Sequence, residues 1–205
     1  MKVSKILVAV GVILLGVIIL YSVSSSPDEP AYRQSIQKER EEKNEFMKNS
    51  AASPFGDRRD SFDSLKYFAP NLKYKVVANL LPVENKKVWV LTTSTGEENR
   101  YLDYAWVEFA LDGIPFRLLI LEIMDSGPTR GTLFLAFADG TSTRETYGAG
   151  RYLDIKKIPG ATSITLDFNK AYNPYCAYVD NFSCPLPPKE NILEVSIAAG
   201  EKSYH

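Results

Sequence analysis

The chain has 205 residues, 45% hydrophobic and 12% aromatic, enough to bury one good core, and its 24% charged residues match an ordinary globular protein. Of its 24 basic residues, two fall in the first 26, which hold no acid, so the remainder sets 22 basic against 25 acidic side chains, a formal charge of −3. A nucleic-acid partner is not expected from such a balance, because it lacks the basic excess that phosphate binding needs.

Lys2 and Lys5 precede ILVAVGVILLGVIILYSV, residues 6–23, an uncharged run that would extend about 27 Å as a helix. Residues 1–26 therefore read as a membrane anchor, with the lysines on the cytoplasmic side and everything after residue 26 outside, in the periplasm or on the cell surface. A cleaved signal is the alternative, given the small residues Ser22, Ser24 and Ser25, but the run is longer than a usual signal core. No cysteine follows the run, which excludes a lipoprotein anchor.

Residues 27–52 form a linker and a charged helix. SSSPDEP, residues 24–30, reads as a non-helical linker, and AYRQSIQKEREEKNEFMKNS as a helix with Lys38/Glu42 and Glu39/Lys43 at i,i+4. Its apolar positions are sparse, so it is expected as a solvated spacer or a helix laid loosely on the domain. Residues 53–73, with Pro54, Gly56 and Pro70, read as irregular.

From Tyr74 the period becomes two. Val76, Ala78 and Leu80 mark one strand and Val88–Leu91 a second. Tyr101–Leu111 and Ile114–Met124 are long apolar runs joined by Asp112-Gly113, the dipeptide that type I′ hairpins favour. Gly131–Ala138, Ser163–Phe168 and Leu193–Ala199 complete the set, with turns at Thr95-Gly96, Asp139-Gly140 and Pro159-Gly160. Residues 53–205 are thus expected as a single mainly β domain, an antiparallel barrel or sandwich of seven or more strands.

Few catalytic chemistries are open to this chain. His205, the last residue, is its only histidine, and no dinucleotide, Walker or EF-hand motif is present. Cys176 and Cys184 read first as a disulfide in an exported protein; a metal site or two free thiols are the alternatives, and Asp167, Asp180 and Asn181 would be poor companions for zinc.

Two segments break the strand pattern. DGTSTRETYGAGRYLD, residues 139–154, gathers charged groups around two glycines, and DFNKAYNPYCAYVDNFSC, residues 167–184, continues into PLPPKEN as a long aromatic-rich loop. Folded together, they are expected to set Glu145, Tyr147, Gly148, Gly150, Arg151, Asp167, Asn169, Tyr172 and Asn173 around one concavity. Arg151 would there pair with Asp167 or Glu145, either as a ligand site or as a polar network that pins the loop.

ETYGAGRYLD, LDFNKAYNPYCAY, CPLPPKENILEV and AAGEK, in this order and spacing, resemble the signature blocks of a prokaryotic family known as domain of unknown function 1684. The likeness extends upstream through SPFG and LKYFAPNLKYKV, and implies no reaction and no cofactor. The expected function is a membrane-tethered β-domain that binds a small polar ligand or an envelope component. The alternatives are a hydrolase using Glu145, Asp154 or Asp167 with Arg151 and a tyrosine, and a purely structural envelope protein.

Overall fold

The computed structural model describes residues 29–205, so the anchor or signal expected at residues 1–26 lies outside the described residues. Among the described residues, no helix is long and apolar enough to cross a membrane. Helix α1 spans Glu29–Asn49. The helix thus takes in Glu29 and Pro30, which the sequence reading assigned to the linker; proline is tolerated in a first helical turn, where its missing N–H has no intrahelical partner to lose.

Seven strands follow: β1 (Lys75–Pro82), β2 (Val88–Thr92), β3 (Glu98–Leu111), β4 (Ile114–Ile123), β5 (Leu133–Phe137), β6 (Arg151–Ile155) and β7 (Ser163–Asp167). All the pairings are antiparallel, in the order β6-β5-β4-β3-β1-β7. The 14 residues of β3 carry two partners on one edge, β2 along Glu98–Leu102 and β1 along Ala105–Glu108. Asp112 and Gly113 both take positive φ, 52° and 79°, and close the β3–β4 hairpin with Leu111 opposite Ile114, as their sequence predicts.

The result is a single curled sheet, a half-barrel, and neither a closed barrel nor a two-sheet sandwich. Its outer strands meet only through Tyr152 of β6 and Tyr172, just beyond β7, whose backbones exchange hydrogen bonds at 2.8 and 3.1 Å. The main core lies against one face of the sheet and includes Leu118, Ile120, Leu135 and Phe137. Phe168 packs into it at 5.5 Å from Phe109 and 5.3 Å from Phe137. A smaller cluster of Leu91, Tyr101, Leu119 and Leu121 covers the other face, so all four residues Leu118–Leu121 are buried.

Two side chains replace backbone ladders. β4 and β5 pair only at Leu121/Phe134 and Glu122/Leu133. Where they part, the buried Asn191 carboxamide accepts from Leu119 N–H (2.6 Å) and donates to the carbonyls of Leu119 (2.9 Å) and Ala136 (2.8 Å). The strand expected at Leu193–Ala199 is likewise replaced. Leu193, Ile197 and Ala199 point inward as the alternation requires, but the segment joins no ladder. Leu193 N–H and the Val195 carbonyl bond the backbone of Ala138 and Gly140, and beyond them the Arg151 guanidinium takes over, donating to the carbonyls of Ile197 (3.0 Å), Ala199 and Glu201 (3.3 Å). That guanidinium also pairs with Asp139 at 2.7 Å, both side chains being essentially inaccessible. β6 departs from expectation in the other direction, as a regular strand paired with β5 in a segment set apart from the strand pattern, where a hairpin with surface charge pairs was the plainer reading.

Candidate functional site

β6 is bonded on one side to β5, and β7 on one side to β1, so each leaves a free edge facing the other. Past the Tyr152–Tyr172 bridge, this seam opens into a cleft of about 860 Å³ roofed by α1. Its walls include Ile36 and Met47 from the helix, Leu153 and Ile155 from β6, and Ile164 and Leu166 from β7.

α1 is held firmly, contrary to the loose spacer expected from its composition. Tyr32, Ile36, Arg40 and Met47, spaced four, four and seven apart, form its buried stripe. Tyr32 donates its hydroxyl to both carboxylate oxygens of Asp167 at 2.8 and 3.0 Å. Arg40 donates to the carbonyls of Phe68 (2.9 Å) and Asn169 (3.3 Å). Lys43 reaches the wholly buried Glu201 at 2.9 Å, whose other carboxylate oxygen accepts from Asn173 (2.8 Å) and from the hydroxyl of Tyr178. At the rim, Lys170 pairs with Glu39 at 2.6 Å and Tyr172 donates to Asp154 at 2.7 Å.

The lining of the cleft carries unused donors, one of them on the helix that roofs it. Arg40 is 8% exposed and its guanidinium lies 4.4 Å from the Tyr67 ring centroid; Arg40 Nε and the Tyr67 hydroxyl are both buried without a hydrogen-bond partner. Burial, and then the nearby Glu201 charge, push the Tyr67 hydroxyl well above its ordinary pKa, so it remains a donor. Leaving such a donor unpaired costs about 1–3 kcal/mol, which an incoming acceptor would recover. Five cations, Arg40, Lys43, Lys75, Lys156 and Lys170, line the cleft against three carboxylates, Glu39, Asp154 and Asp167, and the buried Glu201 behind Lys43 leaves one net positive charge. An anion is therefore favoured over a cation.

The residues expected around one concavity are dispersed in the structure. Asp167, Asn169 and Tyr172 do line the cleft. Asn169 is also structural: its carboxamide exchanges hydrogen bonds with the backbone of Asn71, each 2.8 Å, and donates to Asp167 at 3.1 Å. Asn173 is buried against Glu201. Glu145 is exposed, and its carbonyl accepts from Ser203 N–H at 2.9 Å. Tyr147 turns to Cys176, its hydroxyl 3.6 Å from the sulfur. Gly148 is exposed beside Thr143, while Gly150, at φ 89°, sits where a Cβ would lie 2.6 Å from the Phe137 carbonyl oxygen. Arg151 pairs with neither Asp167 nor Glu145 but with the buried Asp139, its other hydrogen bonds going to the carbonyls of Ile197, Ala199 and Glu201. The two cysteines are free thiols in this structure, not the expected disulfide. Among the described residues, no group of three or more metal-ligating side chains occurs.

Arg40, Lys43 and Tyr67 were not anticipated as site residues. The signal was present as a stripe, Tyr32, Ile36, Arg40, Lys43 and Met47, at helical spacing. Two of its members are charged, and an apolar-periodicity reading assigns charged positions to solvent.

The comparisons agree with the fold. No curated protein matches the chain. The solution NMR structure of an uncharacterised protein from Haloarcula marismortui is similar, with 36% sequence identity and a TM-score of 0.64, over 87% of this chain and 98% of that one. The profile of the family described as Protein of unknown function (DUF1684) matches residues 60–202, and the chain belongs to that family.

Proposed function

We propose that this protein is a membrane-tethered, extracytoplasmic binding domain whose cleft takes a small amphipathic anion, an apolar chain bearing a carboxylate or phosphate. The observation that carries this reading is the pair of buried, unpartnered donors, Arg40 Nε and the Tyr67 hydroxyl, in a cleft whose walls are otherwise largely aliphatic. The head group's oxygens take those donors, while Lys43 and Lys170 stay paired with Glu201 and Glu39. The chain of the ligand lies along Leu153, Ile155 and Ile164, and Lys75 and Lys156, which pair with no carboxylate among the described residues, attract it from solution. Hydrolysis has less support, because Arg151, its intended charge stabiliser, is not among the residues lining the cleft.

The tether rests on Lys2, Lys5 and the uncharged residues 6–23. Protease added to spheroplasts should digest the domain, and a carbonate wash should leave it with the membranes; protection from protease would reverse the orientation. For the ligand, calorimetric titration of residues 27–205 with decanoate should give a saturable 1:1 isotherm. Decanol and inorganic phosphate, each carrying half of the chemistry, should bind more weakly. Equal binding of decanol, or none of decanoate, would overturn the reading.

A further inference from the structure

The cleft does not use the two cysteines, yet both are held in a built setting. Cys184 is buried, its N–H 3.2 Å from Ser94 Oγ and its carbonyl accepting from Ser94 N–H at 2.8 Å, so it is fixed to the turn between β2 and β3. Ser183 beside it bonds the hydroxyls of Thr93 and Thr95, each at 2.7 Å. Cys176 sits in the short helical turn Tyr175–Ala177, half-buried. Its N–H donates to Cys184 Sγ at 3.3 Å, which sets the two thiols side by side. The Tyr147 hydroxyl donates to Cys176 Sγ from the 139–150 segment.

Apolar packing would not need this convergence. The Tyr147 hydroxyl and the Cys184 thiol both face the Cys176 sulfur, and such donors suit a thiolate better than a thiol. The pair is also asymmetric, since the half-buried Cys176 sulfur takes a tyrosine hydroxyl while the buried Cys184 sulfur takes a backbone N–H. A metal would need further ligands, which the described residues do not bring together.

We propose that Cys176 and Cys184 form a thiol–disulfide exchange site, in which Cys176 attacks a low-molecular-weight disulfide and Cys184 resolves the product. In the first step Cys176 thiolate attacks one sulfur of R–S–S–R, the S–S bond breaks, and RS⁻ leaves with the electron pair. Cys184 then loses its proton to solvent or to the departing thiolate and attacks Cys176 Sγ, which expels the second RS⁻. Two protein thiols are oxidised to one disulfide and one R–S–S–R is reduced to two RSH. Excess RSH runs the sequence backwards.

The electrostatics support the order of attack. The hydrogen bond from the Cys184 thiol, followed by that from the Tyr147 hydroxyl, outweighs burial and draws Cys176 down to about 6. Cys184 is pushed up, because its proton is the one shared with Cys176. The other titratable groups facing the pair are Tyr147, Tyr152 and Tyr101, with Asp180 near Tyr147. At pH 6 about half of Cys176 would be thiolate, against about 0.3% of an ordinary thiol; allowing for its lower nucleophilicity, an advantage of about tenfold remains.

The test uses the reduced full-length chain, glutathione disulfide as probe, and acid-quenched mass spectrometry. The wild type should pass through a glutathione adduct on Cys176 and end with the two cysteine peptides linked. Cys184→Ser should stop at the Cys176 adduct, and Tyr147→Phe should move the inflection of the rate upward in pH. Competitive alkylation of the wild type needs no variant: Cys176 should label first, with an inflection near pH 6. First attack at Cys184, an inflection near the free-thiol value of about 8.5, or no linkage under excess glutathione disulfide would each overturn the proposal.

Discussion

Tyr32, in the first turns of α1, donates its hydroxyl to both carboxylate oxygens of Asp167, the last residue of β7 and 135 positions away in the chain. Asp167 also accepts from the N–H and the carboxamide of Asn169, at 3.2 and 3.1 Å, so one carboxylate fixes the start of the helix, the end of the strand and the turn between β7 and the long loop. The roof of the cleft hangs from this contact. Tyr32→Phe keeps the ring in place and leaves Asp167 its Asn169 donors, so it should cost about 1–2 kcal/mol in urea denaturation. Amide exchange should rise mainly in residues 29–40.

Arg151 acts as a strand made of one side chain. A lysine there could not reach Asp139 and three carbonyls together, and would leave buried acceptors empty. Arg151→Lys is expected to destabilise by about 3–5 kcal/mol. The loss should show as faster amide exchange across residues 193–201. Full stability in this variant would mean that the C-terminal segment is held by its apolar side chains and its backbone bonds to Ala138, Gly140 and Ala171.

Asn191→Ala removes the carboxamide that joins Leu119 to Ala136. Two strands would be left with unpaired buried groups at about 1–3 kcal/mol each. The expected loss is near 3 kcal/mol, and Asn191→Asp should do no better, since it surrenders both donors and buries a charge. Gly150→Ala should be comparably harmful, as its Cβ would meet the Phe137 carbonyl oxygen and the Pro187 ring, each at 2.6 Å, on a backbone at φ 89°.

Alkaline pH should unfold the protein steeply. Burial raises the hydroxyls of Tyr67, Tyr152, Tyr172 and Tyr178 well above the ordinary tyrosine value of 10.0. Above pH 10 the unfolded chain releases these protons while the folded chain keeps them, so stability falls as pH rises, by about 1.4 kcal/mol per pH unit for each such tyrosine. Ultraviolet titration should show the buried phenols ionising together with unfolding. Smooth ionisation in a folded protein would contradict their burial.

The sequence was most legible where the backbone satisfies itself. The β3–β4 hairpin follows from two long apolar runs and Asp112-Gly113, because turn chemistry and hydrophobic alternation agree there. It was least legible where a side chain takes over a backbone role. Leu193–Ala199 alternates like a strand, but its partner is Arg151, which no periodicity reveals. β6 was missed because its five residues follow directly on Gly150 in a segment rich in charge. Of the candidate site, Asp167, Asn169 and Tyr172 were found through the loop that holds them, whereas Arg40 and Lys43 were hidden on a helix whose buried face is partly ionic.

Nuclear magnetic resonance mapping of decanoate on residues 27–205 tests the cleft most directly. Amide shifts should cluster on α1 from Ile36 to Met47, on Leu153–Lys156 and on Ile164–Ala171, and the side chains of Arg40 and Tyr67 should contact the carboxylate end. Lys75→Glu combined with Lys156→Glu should weaken binding by about tenfold while stability stays within about 0.5 kcal/mol. Saturable shifts confined to any other surface, or binding that survives both charge reversals unchanged, would contradict an anion site beneath the helix.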